Sequence, residues 1–332
     1  MSLVVMHCPV CDENGFLASA EMYDDRYGEP NPYQLSHCIT CGHLATIPRL
    51  RESDLSELYG TYYPRKSIRA EDVARDAARV KSLVAWLERW WNGTDNQGQY
   101  SVRAGEIMLD VGCGSGTSLL EASHMGAIAF GIEADPNVSP IASALGVSVH
   151  IGSLHDRPFP EHFFDLIVLN QVIEHLPDPD RAMRALVERL KENGRIVLVF
   201  PNASSLWRRI FGKRWINWHI PYHLHHFNLK SFKRMAQHCG LEIVRTRTIT
   251  PNVWTVLQLR AASFQPRPGQ PSPVWAMTRS TGVSSAGQRQ KFFPLRALVR
   301  VTVLSLLSIM NRIVDALGVG DSLLVEVRRS RK

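Results

Sequence analysis

The stretch Glu106 to Pro136, EIMLDVGCGSGTSLLEASHMGAIAFGIEADP, constrains this chain more than any other. Ile107, Met108 and Leu109 form a short apolar run into Asp110. Three alternating glycines follow (Gly112, Gly114, Gly116), and Thr117 to Met125 has helical spacing. A second apolar run, Ile128 to Ile132, ends in Glu133. A strand, a glycine turn, a helix and a second strand make the opening unit of a nucleotide-binding sheet. Glycines reach positive φ and let a ligand approach the main chain, and the helix start behind them offers unpaired N–H groups. The spacing is G-x-G-x-G rather than the dinucleotide G-x-G-x-x-G. Each strand ends in an acid, and Glu133 stands where a carboxylate can accept both hydroxyls of a ribose.

Further runs continue the alternation. Val147–Ile151, Phe164–Asn170, Arg195–Phe200, Leu241–Ile249 and Asp321–Arg328 read as strands. Arg69–Trp91, with Val73, Ala77, Val80, Val84 and Leu87 on one face, reads as a helix, as do Arg181–Leu190 and Leu229–Cys239. The pattern predicts an α/β fold, a Rossmann-like, mostly parallel seven-stranded sheet with helices on both faces. Residues 251 to 320 intervene before the closing strand. Ala262 to Lys291 is rich in Pro, Gly, Ser and Gln and reads as mobile. Pro294 to Leu317 reads as an amphipathic helix in which Ser305, Ser308, Arg312 and Asp315 share one face. Its apolar surface should be buried, first against the domain, otherwise against a second copy or a membrane surface. The longest apolar run, Val301 to Met310, is too short to span a bilayer.

Four of the six cysteines come as two pairs, Cys8-Pro-Val-Cys11 and Cys38-Ile-Thr-Cys41, with Gly42 after the second. Two such knuckles, a few dozen residues apart, place four thiolates around one tetrahedral Zn²⁺. A closed set of four leaves no position for water, so the metal should be structural. Tyr23, Tyr27 and Tyr33 lie between the knuckles in what reads as a loop-rich hairpin. The expected organisation is a zinc ribbon over 1–45, a linker and helix over 46–100, a core over 101–250 with 321–332, and an insertion over 251–320. The tyrosines Tyr59, Tyr62 and Tyr63 read as linker anchors.

One segment stands out by composition. Ser204 to Asn228 holds Trp207, Trp215, Trp218, Tyr222 and Phe227, with Arg208, Arg209, Lys213 and Arg214 interleaved. His219, His223, His225 and His226 complete it. It follows a strand end, where open α/β sheets bind ligands, and so reads as a lid over an acceptor site. A metal among these histidines is disfavoured, since no acid lies in the segment.

The glycine turn with Asp110 and Glu133 resembles the cofactor motifs of class I S-adenosylmethionine (SAM) methyltransferases. Gln171-Val-Ile-Glu174-His175-Leu-Pro-Asp-Pro, after the fourth strand, resembles the ubiquinone-biosynthesis-like branch of that class. Pro221, His223, His226 and Phe227 resemble a segment of zinc-ribbon methyltransferases from glycan and natural-product gene clusters, many of which carry Arg where Tyr222 stands. The resemblance implies SAM as cofactor. Gly112, Gly114 and Gly116 would approach its methionyl part, Asp110 its amino end, Glu133 the ribose, Leu154 the adenine and Asn170 the sulfonium. Ser153 stands where many relatives carry an acid.

For a hydroxyl acceptor a base is needed, and His175 is the first candidate, with His223 and His226 second. An unperturbed imidazole would give an ascending pH limb near neutrality. The expected acceptor is a small molecule or a glycan-linked group, with an anionic one in view. Methylation of ribosomal or transfer RNA is disfavoured: Asn170-Gln-Val-Ile replaces the Asn/Asp-Pro-Pro-aromatic element of base N-methylation. The net charge of +7 does not argue nucleic acid by itself. A non-catalytic SAM-binding adaptor is the other alternative, and the intact glycine turn argues against it. No apolar stretch near the start resembles a signal peptide, so the expected location is cytoplasmic, with contact at the inner membrane face through 294–317 in view.

Overall fold

The computed structural model describes residues 3–63, 68–94, 101–275 and 294–330. The expected mobile stretch therefore lies largely outside the described residues, as does much of the polar break after Asn92. Two sheets organise the rest. In the first, β1 (Leu3–His7), β2 (Asn14–Met22), β3 (Tyr33–Cys38) and β4 (Leu44–Ile47) are antiparallel neighbours in sequence order. Between the knuckles the chain is mostly strand rather than loop, with Phe16, Leu35 and Tyr33 buried. The fifth strand of this sheet comes from far away: β10 (His225–His226) pairs with Leu44 and Ala45 of β4.

The second sheet has seven strands: β5 (Ile107–Val111), β6 (Ile128–Glu133), β7 (Ser148–Ile151), β8 (Phe164–Asn170), β9 (Leu190–Pro201), β11 (Leu241–Ile249) and β12 (Ser322–Arg329). Their order is β11-β12-β9-β8-β5-β6-β7. Only β12 runs antiparallel to its neighbours. The order reverses beside β5, which places the carboxyl end of β5 and its glycine turn in the crevice where such sheets bind ligands. The chain is thus a Rossmann-like α/β fold with an N-terminal four-cysteine module.

Helices link the strands. They are α1 (Glu52–Thr61), α2 (Ala70–Ala78), α3 (Leu83–Asn92), α4 (Thr117–His124), α5 (Ser139–Leu145), α6 (Pro179–Arg189), α7 (Leu206–Phe211), α8 (Leu229–His238), α9 (Asn252–Ala262) and α10 (Pro294–Ala316). The single helix expected over 69–91 is two. Ser82 caps a new helix by accepting from Ala85 N–H. Val73 and Ala77 of α2 are buried, whereas Val84 and Leu87 of α3 face outward.

The expectation for α10 is inverted. Its polar stripe faces the domain: Ser308 and Asn311 bond Asn252 and Thr255 of α9, and Asp315 accepts from Thr250. Val303, Leu306, Ile309 and Ile313 are about half exposed, as are Trp86 and Trp90 of α3. The side chains of Ser308, Asn311 and Asp315 are tolerated here because each finds a partner.

One hydrophobic core joins the two sheets. Cys8, Val10, Phe16 and Cys38 of the ribbon pack in the same cluster as Leu109, Ile167, Leu198 and Phe200 of the main sheet. Phe227 is the hinge of this contact, 4.9 Å ring to ring from His43 and 5.7 Å from Phe200. The aromatic segment is accordingly a packed wedge. Trp215, Tyr222, Leu224 and Phe227 are all 1% exposed or less, which is core burial and not the exposure of a loose lid.

Candidate active site

The glycine turn connects β5 to α4. Gly112, Gly114 and Gly116 sit at φ of 72°, 53° and 80°, a region that penalises any Cβ. At Gly112 a Cβ would lie 2.6 Å from Val172, whereas at Gly114 it would meet nothing within 4 Å. The turn is closed on one side and open on the other. Helix α4 starts at Gly116 with no side-chain cap, so its first N–H groups remain available.

Glu133, at the end of β6, reaches across the turn. One oxygen accepts from Gly114 N–H at 2.9 Å and the other from Asp135 N–H at 3.0 Å. Asp110 is buried beneath. Burial pushes its carboxyl up to about 7; the nearby Ser118 hydroxyl opposes this and the Glu133 charge adds to it. Asn170 ends β8 with its side-chain oxygen buried and without a protein partner. Leu154 packs half-buried at the edge of the core. A carboxyl in need of a cation, an orphaned amide oxygen and an open glycine cradle together fit the polar ends of a bound SAM.

From Asn170 the chain turns sharply, Gln171 taking φ of 57°, and brings Glu174 and His175 under the aromatic wedge. The His175 Nδ1 lies 2.9 Å from the Tyr222 carbonyl and 3.0 Å from the Tyr59 hydroxyl. A carbonyl can only accept, so Nδ1 carries the proton and Nε2 keeps its lone pair. Burial lowers His175 to about 4; the bond to the Tyr222 carbonyl opposes this and the Arg26 charge adds to it. The ring is neutral at pH 7. His223 also turns Nδ1 to a carbonyl, that of Asn217 at 2.8 Å, but its Nε2 lies 3.3 Å from His219 Nδ1; its ring is edge-on to His175 at 4.6 Å. A Glu174 oxygen and one ring nitrogen each of His175 and His223 all lie within 4.8 Å of one another.

His226 stands apart from this group. Its Nε2 is 3.1 Å from the Thr46 hydroxyl and its ring packs edge-on to Trp218. It serves the β4–β10 ladder. The ribbon therefore holds the wedge: Thr46 also donates to the His223 carbonyl at 2.7 Å, and His43 bonds His225 at 3.1 Å.

Several residues here escaped the sequence reading. Tyr59 and Tyr63, expected to anchor the linker rather than to line a substrate mouth, form a ring cluster with Tyr27, Tyr222 and His219. Burial raises the Tyr59 phenol, whose hydroxyl lies 3.0 Å from His175 Nδ1. Glu174 supplies the acid that the aromatic segment lacks; its adjacency to His175 in the sequence was the available signal.

In the ribbon, the four sulfurs of Cys8, Cys11, Cys38 and Cys41 lie within 4.8 Å of one another. The Cys8–Cys41 and Cys11–Cys38 separations are 3.7 and 3.6 Å. These are too long for disulfides and close to the edge of about 3.8 Å that a tetrahedron with Zn–S near 2.3 Å requires. Each knuckle is followed by a left-handed residue, Asp12 at φ 65° and Gly42 at 73°. The set fits a thiophilic tetrahedral cation.

The fold, the switch-point crevice and the glycine turn define a class I SAM-dependent methyltransferase domain, and the chain carries one. Residues 87–246 match the methyltransferase domain family. The chain is 29% identical over 150 residues to the chloroplastic tocopherol O-methyltransferase of Arabidopsis thaliana, covering 42% of each chain. It thus spans less than half of that relative. It is 26% identical over 190 residues to the ubiquinone biosynthesis O-methyltransferase of Pseudomonas fluorescens, covering 49% of this chain and 79% of the other. A solved SAM-dependent methyltransferase from Mesorhizobium loti aligns with 70% of this chain and 95% of its own, at 15% identity and a TM-score of 0.45. Among the described residues no helix is long and apolar enough to cross a membrane.

Proposed function

We propose that this chain transfers the methyl group of SAM to a hydroxyl of a small-molecule, sugar or glycan-linked acceptor. One observation carries the reading: His175 is a half-buried, neutral imidazole whose Nε2 lone pair is left open by the Nδ1–carbonyl bond, one short turn beyond Asn170. SAM brings an activated methyl on a sulfonium. The chain's own residues must orient the acceptor and take its proton. In this reading Gly112, Gly114 and Gly116 admit the methionyl part, Asp110 holds its ammonium, Glu133 the ribose, Leu154 lies by the adenine and Asn170 by the sulfonium. His175 is the base, with His223 beside it, and His226 is structural. Cys8, Cys11, Cys38 and Cys41 hold one structural Zn²⁺, and the free thiols suit a reducing cytoplasm. The outward apolar face of α10 suits a second copy or a lipid surface.

The test is the chemical stability of the product. With methyl-labelled SAM and a panel of hydroxylated acceptors, the label should survive mild base as an ether. Release as volatile methanol would mean a carboxyl ester and contradict a hydroxyl acceptor.

The Asp110 carboxyl gives a pH prediction. Its folded value of about 7 should fall when an ammonium binds beside it. SAM binding then releases a proton, so affinity should rise as pH climbs from 6 through 7 and level off above. Calorimetry in buffers of different ionisation enthalpy measures this, and Asp110→Asn should abolish both the proton release and the pH slope.

A second reading has one observation behind it. Glu174, His175 and His223 also form a carboxylate–two-histidine set close enough for a divalent cation. Metal content above one equivalent per chain, lost in Glu174→Gln and retained in Cys38→Ser, would favour it over a simple base.

A further inference from the structure

Arg26 belongs to the ribbon, on the loop between β2 and β3, and is only 4% exposed. Its guanidinium lies 4.0 Å over the Trp275 ring and donates one N–H to the Ile216 carbonyl. Its Nε–H is buried without a partner. The acids of the same loop do not pair with it. Asp24 spends both oxygens on the backbone N–H groups of Arg26, Tyr27 and Glu29, and Glu29 accepts from Asn31. Asp25 feels the guanidinium's field, but among the described residues no carboxylate lies within ion-pair distance of it. A buried cation without a carboxylate is costly, and chains keep one where an anion arrives.

Two further orphaned atoms share the neighbourhood. The Tyr222 hydroxyl and His219 Nε2 are buried and unpartnered, in residues 0% and 6% exposed. The two rings touch at 4.9 Å, and both contact Tyr27, the residue after Arg26. The His219 protonation follows from its neighbour. His223 Nδ1 donates to a carbonyl, so His223 Nε2 accepts, and His219 Nδ1 at 3.3 Å must be the donor. His219 Nε2 is therefore a bare acceptor. His219 is also held at φ of 41°, a conformation that needs support from its surroundings. A cleft of about 70 Å³ reaches it, lined by Asp25, Lys213, Arg214, Trp218 and Ile220.

Two donors and one acceptor without partners, beside the proposed base, describe a ligand. We infer that Arg26, Tyr222 and His219 form a subsite for an oxyanion of the acceptor, a carboxylate or a phosphate. A hydroxyl next to that oxyanion would donate to His219. This rests on the acceptor reading above and narrows it to acidic acceptors.

The experiment is a calorimetric titration of the full metal-loaded chain with inorganic phosphate and, separately, with glycolate. Saturable binding of at least one probe is expected, and the stronger of the two identifies the oxyanion. Arg26→Gln should weaken it about tenfold or more, and Tyr222→Phe, which removes one oxygen and keeps the ring, about threefold. No saturable binding of either probe to the wild type overturns the subsite, as does unchanged affinity in both variants. SAM titrated into the same samples reports separately on folding and on the methyltransferase reading. Loss of SAM binding in the wild type would sink that reading while leaving the oxyanion result intact.

Discussion

His175→Ala is expected to lower turnover by about 10²–10⁴-fold, the usual contribution of a positioned base, with SAM affinity nearly unchanged. The residue bonds the Tyr222 carbonyl of the wedge, while Val172, three residues before it, packs against Gly112 of the glycine turn. His175→Gln should be nearly as slow, since an amide hydrogen-bonds but cannot take the proton. The pH dependence separates a base from a merely structural histidine. His175 acts when neutral, and burial lowers its pKa to about 4. The neutral fraction therefore rises through pH 4 and is complete well below neutrality. At saturating SAM, the wild-type rate should climb near pH 4 and run flat through 7, and this limb should vanish in both variants. An ordinary imidazole would put the limb near 6.5, so burial has moved it by enough to tell the two apart. Full turnover in His175→Ala would remove the base; if His223→Ala loses it instead, the base is His223.

The second large effect is expected from the ribbon. Cys38→Ser should lose the bound metal, and turnover should fall about 10²-fold or more while SAM still binds. The reason is mechanical. Thr46 and His43 of the ribbon fasten His223, His225 and His226. The Tyr222 carbonyl in turn fixes the His175 tautomer. A displacement of about 1 Å in such a constellation is enough for a loss of that size. Metal analysis, SAM calorimetry and turnover on one sample make the measurement. Loss of metal with unchanged turnover would reduce the ribbon to a passive appendage. Loss of SAM binding as well would mean that the shared core, in which Cys8 and Cys38 pack with Leu198 and Phe200, does not survive without the metal.

What the sequence made legible was local. The glycine turn, its two flanking acids and the β/α alternation are patterns written over a few residues each, and the mostly parallel seven-stranded sheet follows from them. The knuckles are equally local. What stayed hidden depends on contacts across most of the chain. Nothing near Leu44 announces that it will pair with His226, 182 residues away by register, because a two-residue strand has no periodicity to read. Arg26 and Tyr59 carry no motif; only folding brings them to His219 and His175. The helix α10 misled for a different reason. Amphipathicity tells which stripe is polar, but not that α9 presents Asn252 and Thr255 to pair with that stripe and turn the apolar side outward.

The central claim is that the crevice at β5 and β6 binds SAM and feeds the histidines beneath the wedge. Its most direct test is calorimetric titration of SAM into the wild type and Glu133→Ala. One SAM per chain is expected, with affinity weakened by about 1.5–3 kcal/mol in the variant, the range for a hydrogen bond to a charged acceptor. Equal affinity in a folded Glu133→Ala, or no binding to the wild type, would contradict the account.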